Sequence, residues 1–198
     1  MQSFFKSYEL PTNKPILVVG KGPTFERINE LNLDDYFVFG LNEVCQIIKC
    51  DIGHFIDIEV ISRNFIDNCK AIVSPVRPHK DCKVSNRYLV TWYFIPYQEE
   101  TNVLDKLYCY NCTTYKGAHF TDFGPAVKVK YFSVEAAFRL LALRGIKQIH
   151  TLGIDGGTKY AKDFSHLKPL RNGRQSFDDQ FKTIAEIIAK FDIEWIQL

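Results

Sequence analysis

Several short stretches of the sequence place residues capable of chemistry directly after apolar runs. GKGPT, residues 20–24, sets Gly20 and Gly22 where a backbone can approach a ligand closely. Pro23 and Thr24 then open a helix, whose unpaired N–H groups favour an anion, and Lys21 adds a cation. A tight strand-to-helix turn would explain the glycines and Pro23, but not Lys21. Asn42, in GLNE, can hydrogen-bond a base or ribose, or cap the turn that follows. Asp57, in HFIDIE, can accept from a sugar hydroxyl, bind a metal, or cap a helix beginning near Ile58. Ser133 opens the longest helical pattern, where its hydroxyl suits a phosphate as well as a cap. Lys128 and Lys130 precede it, and Tyr131 can stack on a base.

GIDGGTKY, residues 153–160, has the most unusual composition. Glycine weakens a strand and a buried aspartate needs partners, so packing alone does not call for both. Gly153, Gly156 and Gly157 permit close approach, and Asp155 can hold ribose hydroxyls, a cation or a reacting hydroxyl. A glycine-rich Asx turn is the plainer alternative. Arg171 and Arg174 flank Asn172-Gly173 with guanidinium forks suited to phosphate, pyrophosphate or carboxylate, although a solvated basic loop reads the same way. Of the five histidines (54, 79, 119, 150 and 166), His79 and His166 lie on loops and join Asp155 as acid/base candidates; His150, inside a strand, reads as structural.

These residues need a frame that holds strand tips together. KPILVVG (14–20), YFVFGLN (36–42), GHFIDI (53–58), KAIVSPV (70–76), IKQIHTLGID (146–155) and IEWIQL read as strands, most of them buried on both faces. Helices are expected at 24–31, capped by Thr24, after Glu59, at 132–145 between Ser133 and Gly145, and at 177–191, where Ser176 and Asp179 resemble a capping box. The alternation predicts a single Rossmann-like α/β domain, a mostly parallel sheet with helices on both faces. Residues 77–131 read as an irregular insertion or lid, with a β-rich YLVTWYFIPY and a loop of Tyr, Cys and Thr.

With a net charge of +2, nothing forces a nucleic-acid or anionic-membrane partner. No apolar run is long enough for a membrane span, and the N-terminal stretch lacks a secretory pattern, so a cytoplasmic protein is expected. The six cysteines (45, 50, 69, 82, 109 and 112) are expected as free thiols, and the CxxC pair Cys109–Cys112 lacks the partner pair of a zinc site.

ILVVGKGPTFERI, FVFGLNEV, the Ser133 helix and GIKQIHTLGIDGG occur in the order found in bacterial sialyltransferases that use a CMP-activated sugar. The chain resembles these enzymes, and the wider group with the archaeal 6-hydroxymethylpterin diphosphokinases, over residues 14–60 and 128–198. The resemblance implies donor phosphate against the GKGP loop, Asn42 on nucleotide or sugar, and Ser133 on phosphate. It also implies hydroxyls held by Gly153–Asp155, and Tyr160 steadying the leaving phosphate. Two departures stand out: Lys21 replaces an asparagine, and Gln175 stands nearest to a histidine base.

Three functions follow as expectations. The first is glycosyl transfer from a nucleotide-activated sugar, on the resemblance a CMP-sugar, to a glycan acceptor in surface-polysaccharide biosynthesis, with no cofactor required. The second is pterin-type diphosphoryl transfer with Mg²⁺ on Asp57 and Asp155. The third is a non-catalytic nucleotide- or sugar-binding module, working as a homo-oligomer or beside a partner glycosyltransferase. All require Lys21, Ser133 and Asp155 to face one hollow.

Overall fold

A strand apolar on both faces is stable only when neighbours pair with its edges and helices cover both sides. In a computed structural model, which describes all residues except 12, 81, 82, 85–87, 99–101 and 114–119, the β-branched runs do this. The strands are β1 (Gln2–Ser3), β2 (Ile16–Val19), β3 (Phe37–Leu41), β4 (Cys50–His54), β5 (Cys69–Pro75), β6 (His79–Lys80), β7 (Lys83–Val84), β8 (Leu107–Cys112), β9 (Ala126–Val127), β10 (Gln148–Leu152) and β11 (Glu194–Gln197). Nine of them form one sheet, ordered β1-β8-β5-β4-β3-β2-β10-β11, with β9 beside β8. Every pairing in it is parallel.

From β2 the chain winds one way through β3, β4 and β5, then returns to lay β10 and β11 on the other side. The order therefore reverses between β2 and β10, where the first connections on the two sides leave a crevice. This is the expected Rossmann-like α/β architecture.

Side chains alternate between two buried layers. Ile16 and Val18 pack with Phe138 and Ile184, from α4 (Ser133–Leu143) and α5 (Asp179–Phe191). Leu17 and Val19 face Phe25, Phe65 and Phe94, the last two from α2 (Arg63–Asn68) and α3 (Thr91–Phe94). Burying one such side chain is worth about 1.5–3 kcal/mol, so these layers outweigh any single cap. A short α1 (Phe4–Ser7) and β1, not anticipated in the sequence, close one edge of the sheet. Among the described residues, no helix is long and apolar enough to cross a membrane.

Several expectations need correction. The segment read as a helix from Thr24 is a 3₁₀ helix, Pro23–Glu30, with Gly22 at its N-cap, because the Thr24 hydroxyl is used elsewhere. The third strand lies at 50–54 rather than 53–58, since pairing with β5 begins at Cys50 opposite Cys69. YLVTWYFIPY is helical, as α3 followed by a 3₁₀ turn at Ile95–Tyr97, and buries Phe94 and Val90 while leaving Trp92 and Ile95 exposed. The supposed loop of Tyr and Cys is β8, an interior strand between β1 and β5, so the main sheet runs through the 77–131 segment. Its polar character is absorbed internally: the Asn111 amide donates to Phe120 O and Gly124 O and accepts from Phe120 N.

In β8, Cys109 and Cys112 pack into opposite faces of the sheet, so their CxxC spacing joins nothing. The five described cysteines are buried thiols outside any disulfide. Cys82 and His119 lie outside the described residues.

Candidate functional site

The reversal between β2 and β10 creates two connected spaces at the carboxyl ends of the strands. A narrow recess of about 90 Å³ is lined by Gly20, Lys21, Gly22, Asn42, Ser133, Gly153, Asp155 and Tyr160, among others. A wider chamber of about 340 Å³ shares Lys21, Asn42, Ser133 and Tyr160 with it, and adds Glu43, Asp57, Glu59, His166, Lys168 and Arg171. Lys21, Ser133 and Asp155 thus line the same recess.

The glycines of this region mostly serve the protein's own backbone. Gly20 N donates to Leu152 O at 2.8 Å and Gly22 N to Gly153 O at 2.8 Å, stitching the loop after β2 to the tip of β10. A Cβ on Gly20 would come 2.5 Å from the Gly153 carbonyl oxygen, and Gly153 itself holds φ at 69°. A Cβ on Gly22 would sit 2.8 Å from that of Asp155. The glycines expected to admit a ligand first admit each other, although these three also wall the recess. Gly156 and Gly157 do not line either space. A Cβ on Gly156 would collide with the Asp178 carboxylate, and Gly157 N donates to Asp178 Oδ1 at 3.1 Å.

Asp155 is likewise committed. Its Oδ2 accepts from Thr24 N at 2.8 Å, and the Thr24 hydroxyl lies 3.0 and 2.9 Å from Oδ1 and Oδ2. The same hydroxyl accepts from Gly153 N at 2.8 Å. A carboxylate here satisfies orphan N–H groups and the positive end of the 3₁₀ segment. Asp155 therefore stands as a fastening between two strand tips, not as a free acid or base.

Lys21 is half way between the two roles. Its ammonium is ion-paired with Glu43 and lies 4.6 Å from the centroid of the Tyr160 ring. Burial pushes the Tyr160 phenol up to about 12, helped by Glu43, so it remains a hydrogen-bond donor. Tyr160 also packs on Phe177, with centroids 5.2 Å apart.

Asn42 holds a left-handed φ of 55°, an uncommon conformation for a residue other than glycine. Its amide meets the Ser133 hydroxyl at 3.2–3.3 Å, so neither side chain caps the helix it opens. Backbone strain concentrates at functional positions more often than elsewhere. Just beyond the α4 start, buried Glu135 turns back and accepts from Lys130 N at 2.6 Å.

Asp57 occupies the N-cap position before Ile58 but makes no side-chain cap. Burial and the neighbouring Glu59 push its carboxyl up to about 6, against the lowering influence of Arg171 and Lys21. His79 Nδ1 lies 3.7 Å from Asp57 Oδ1, and burial holds the His79 imidazole below its ordinary value. His166 is exposed and borders the chamber. Arg171 lines it too, whereas Arg174 turns away: its guanidinium pairs with Asp179 at 2.7 Å and stacks 3.9 Å over Tyr131. Ser176 binds Asp178 and Gly157 instead of completing a capping box.

Glu43, Glu59 and Phe177 escaped the sequence reading. Glu43 could have been found, since it follows Asn42 at the same strand tip; Glu59 and Phe177 carry no local signal. No family model, no curated protein and no solved structure matches the chain.

Proposed function

We propose that this protein binds a nucleotide-activated sugar, by its resemblance a CMP-sugar, and transfers the sugar to a glycan acceptor. The supporting observation is the meeting of Lys21, Tyr160, Asn42 and Ser133 in one recess that opens into a larger chamber, at the point where strand order reverses. Ligand sites of such sheets form there. The chamber is of the size that small-molecule sites usually have, roughly 300 Å³ or more.

The roles follow from chemistry. Departure of a nucleoside phosphate concentrates negative charge on its oxygens, which a cation and a phenol donor stabilise. Lys21 and the protonated Tyr160 hydroxyl supply both. Lys21 exchanges the Glu43 carboxylate for the phosphate, while Asn42 and Ser133 hydrogen-bond sugar or nucleotide. The protein would act in the cytoplasm, in surface-polysaccharide synthesis, alone as a homo-oligomer or beside a partner glycosyltransferase.

The diphosphokinase alternative gives Mg²⁺ to Asp57 and Asp155. The two carboxylates wall different spaces, Asp155 the recess and Asp57 the chamber, and Asp155 is bound to Thr24 through both oxygens, so this arrangement supports a shared metal less well than the sugar-transfer reading. A non-catalytic binding module would use the same recess without turnover.

Thermal-shift titrations with CMP, UDP, GDP and ATP, each with and without Mg²⁺, separate these readings. CMP without metal is expected to stabilise the protein by about 2.7 kcal/mol at 100 times its Kd. Stabilisation by ATP only with Mg²⁺ would replace sugar transfer with diphosphoryl transfer. Silence toward every nucleotide would end the proposal.

A further inference from the structure

Among the described residues, Asp57 is a strand-tip carboxylate of the site that the fold leaves under-used. Its Oδ1 is buried and accepts no hydrogen bond. The side chain nevertheless keeps 37% of its exposure and lines the chamber. Burying a carboxylate oxygen without a donor is costly, and such groups are retained where their ionisation is needed. The backbone makes the placement deliberate: His79 N donates to Ile56 O at 2.7 Å, and His79 forms a parallel bridge with Asp57. This clamps the imidazole behind the carboxylate. Because burial favours the neutral ring, His79 does not neutralise Asp57 as a lysine or arginine in its place would.

Other charged groups face Asp57 from separate elements. Glu43 follows β3, Glu59 follows Asp57 itself, Lys21 follows β2, and Arg171 comes from the loop before α5. His166 and Lys168 border the same chamber. Lys21 and Asp57 therefore wall one space, the first also reaching the recess where the donor phosphate would lie.

We propose that Asp57, with His79 as its positioning residue, is the base that deprotonates the acceptor hydroxyl. This rests on the nucleotide-sugar reading above and gives it the general base that Asp155 cannot supply. In the step, the acceptor oxygen bonds to the anomeric carbon as its proton passes to the Asp57 carboxylate. The bond from that carbon to the phosphate oxygen breaks, its electron pair leaving with the nucleoside monophosphate beside Lys21. The acceptor is accordingly an alcohol, a sugar hydroxyl or water, entering from the chamber side.

The test uses the full chain and its Asp57→Asn variant, with CMP as the binding probe and CMP-N-acetylneuraminate, in water and with lactose, as the donor. Asp57→Asn is expected to bind CMP within about threefold of the unaltered protein and to lose about 100-fold or more in turnover, the usual worth of a general base. Unaltered activity should rise with pH through about 6, where Asp57 ionises, and this rise should vanish in the variant. A pH rise that persists in Asp57→Asn, or turnover near the unaltered rate, overturns the assignment and leaves the nucleotide-sugar reading standing. A tenfold or larger loss of CMP affinity overturns it too, since Asp57 would then be a nucleotide ligand. Failure of CMP to bind the unaltered protein sinks the parent reading. Should that donor not react, carbon-13 NMR titration of the Asp57 carboxyl decides: a midpoint near 6 that moves in His79→Gln supports the poised base, and an ordinary aspartate midpoint overturns it.

Discussion

Asp155 and Asp57 are the same residue type at the same kind of place, just past the carboxyl end of a parallel strand, yet the fold treats them oppositely. At the β2–β10 tip the polar groups hold one another: Asp155 holds Thr24, Thr24 holds Gly153, and paired glycines let the two loops touch. At the β4 tip one carboxylate oxygen has no donor, burial disfavours the charged form of its neighbouring imidazole, and charges of both signs surround it. The first region is construction and the second is held in reserve. Position at a strand tip identifies where chemistry can occur; only hydrogen-bond accounting separates the aspartate that builds from the one that can react.

Substitutions can break that contrast. The largest effect is expected at Gly153. An alanine there forces a Cβ into the Gly20 carbonyl at a φ of 69°, and should destabilise the protein by more than about 4 kcal/mol. Gly157→Ala is its control: φ is 73°, but open space surrounds the site, so only strain of about 1 kcal/mol remains. Chemical denaturation of both variants measures the difference. Equal losses would mean that backbone conformation, and not the close approach of the two loops, explains the glycines.

Asp155→Ala comes next. It leaves the Thr24 amide and hydroxyl without their acceptor, a loss of about 3 kcal/mol, or about 9 °C in Tm for a chain of this length. A calorimetric scan showing less than a third of that drop would return Asp155 to the pool of free carboxylates, and the distinction between the two tips would collapse.

The frame was legible in the sequence where strands are long and β-branched. ILVV, FVFGL and the 133–143 helix each carry a periodicity that only one element satisfies. β8 was not, because LYCYNC places Tyr110 and Asn111 in a buried strand, and the partners that make Asn111 tolerable lie 9 to 13 residues ahead. YLVTWYFIPY misled in the other direction: its aromatic and β-branched composition favours a strand, while the burial of Phe94 beside Phe55 selects a helix. At the site, the strand-tip rule pointed to Lys21, Asn42, Asp57 and Ser133, which the fold brings to the wall of one chamber. It could not foresee the packing partners of the glycines and Arg174 (Gly20 for Gly153, Asp178 for Gly156, Asp179 for Arg174), which are fixed by tertiary structure alone.

The smallest effect probes the Asp57 tip directly, through the pH dependence of stability. The Asp57 carboxyl is raised from 3.8 to about 6, so the folded protein holds that proton more tightly than the unfolded chain does. Its contribution to stability is then greatest at low pH and is lost as pH rises from about 4 to about 6. Asp57→Asn removes the titration and should therefore match the unaltered protein near pH 4 and exceed its Tm above pH 7. The side chain is 37% exposed, so solvent screening limits the gain to about 2 °C. Paired melting curves across this range read it directly. A variant less stable than its parent at pH 7.5 would mean that Asp57 is as thoroughly used by the fold as Asp155, with nothing left over for an acceptor proton.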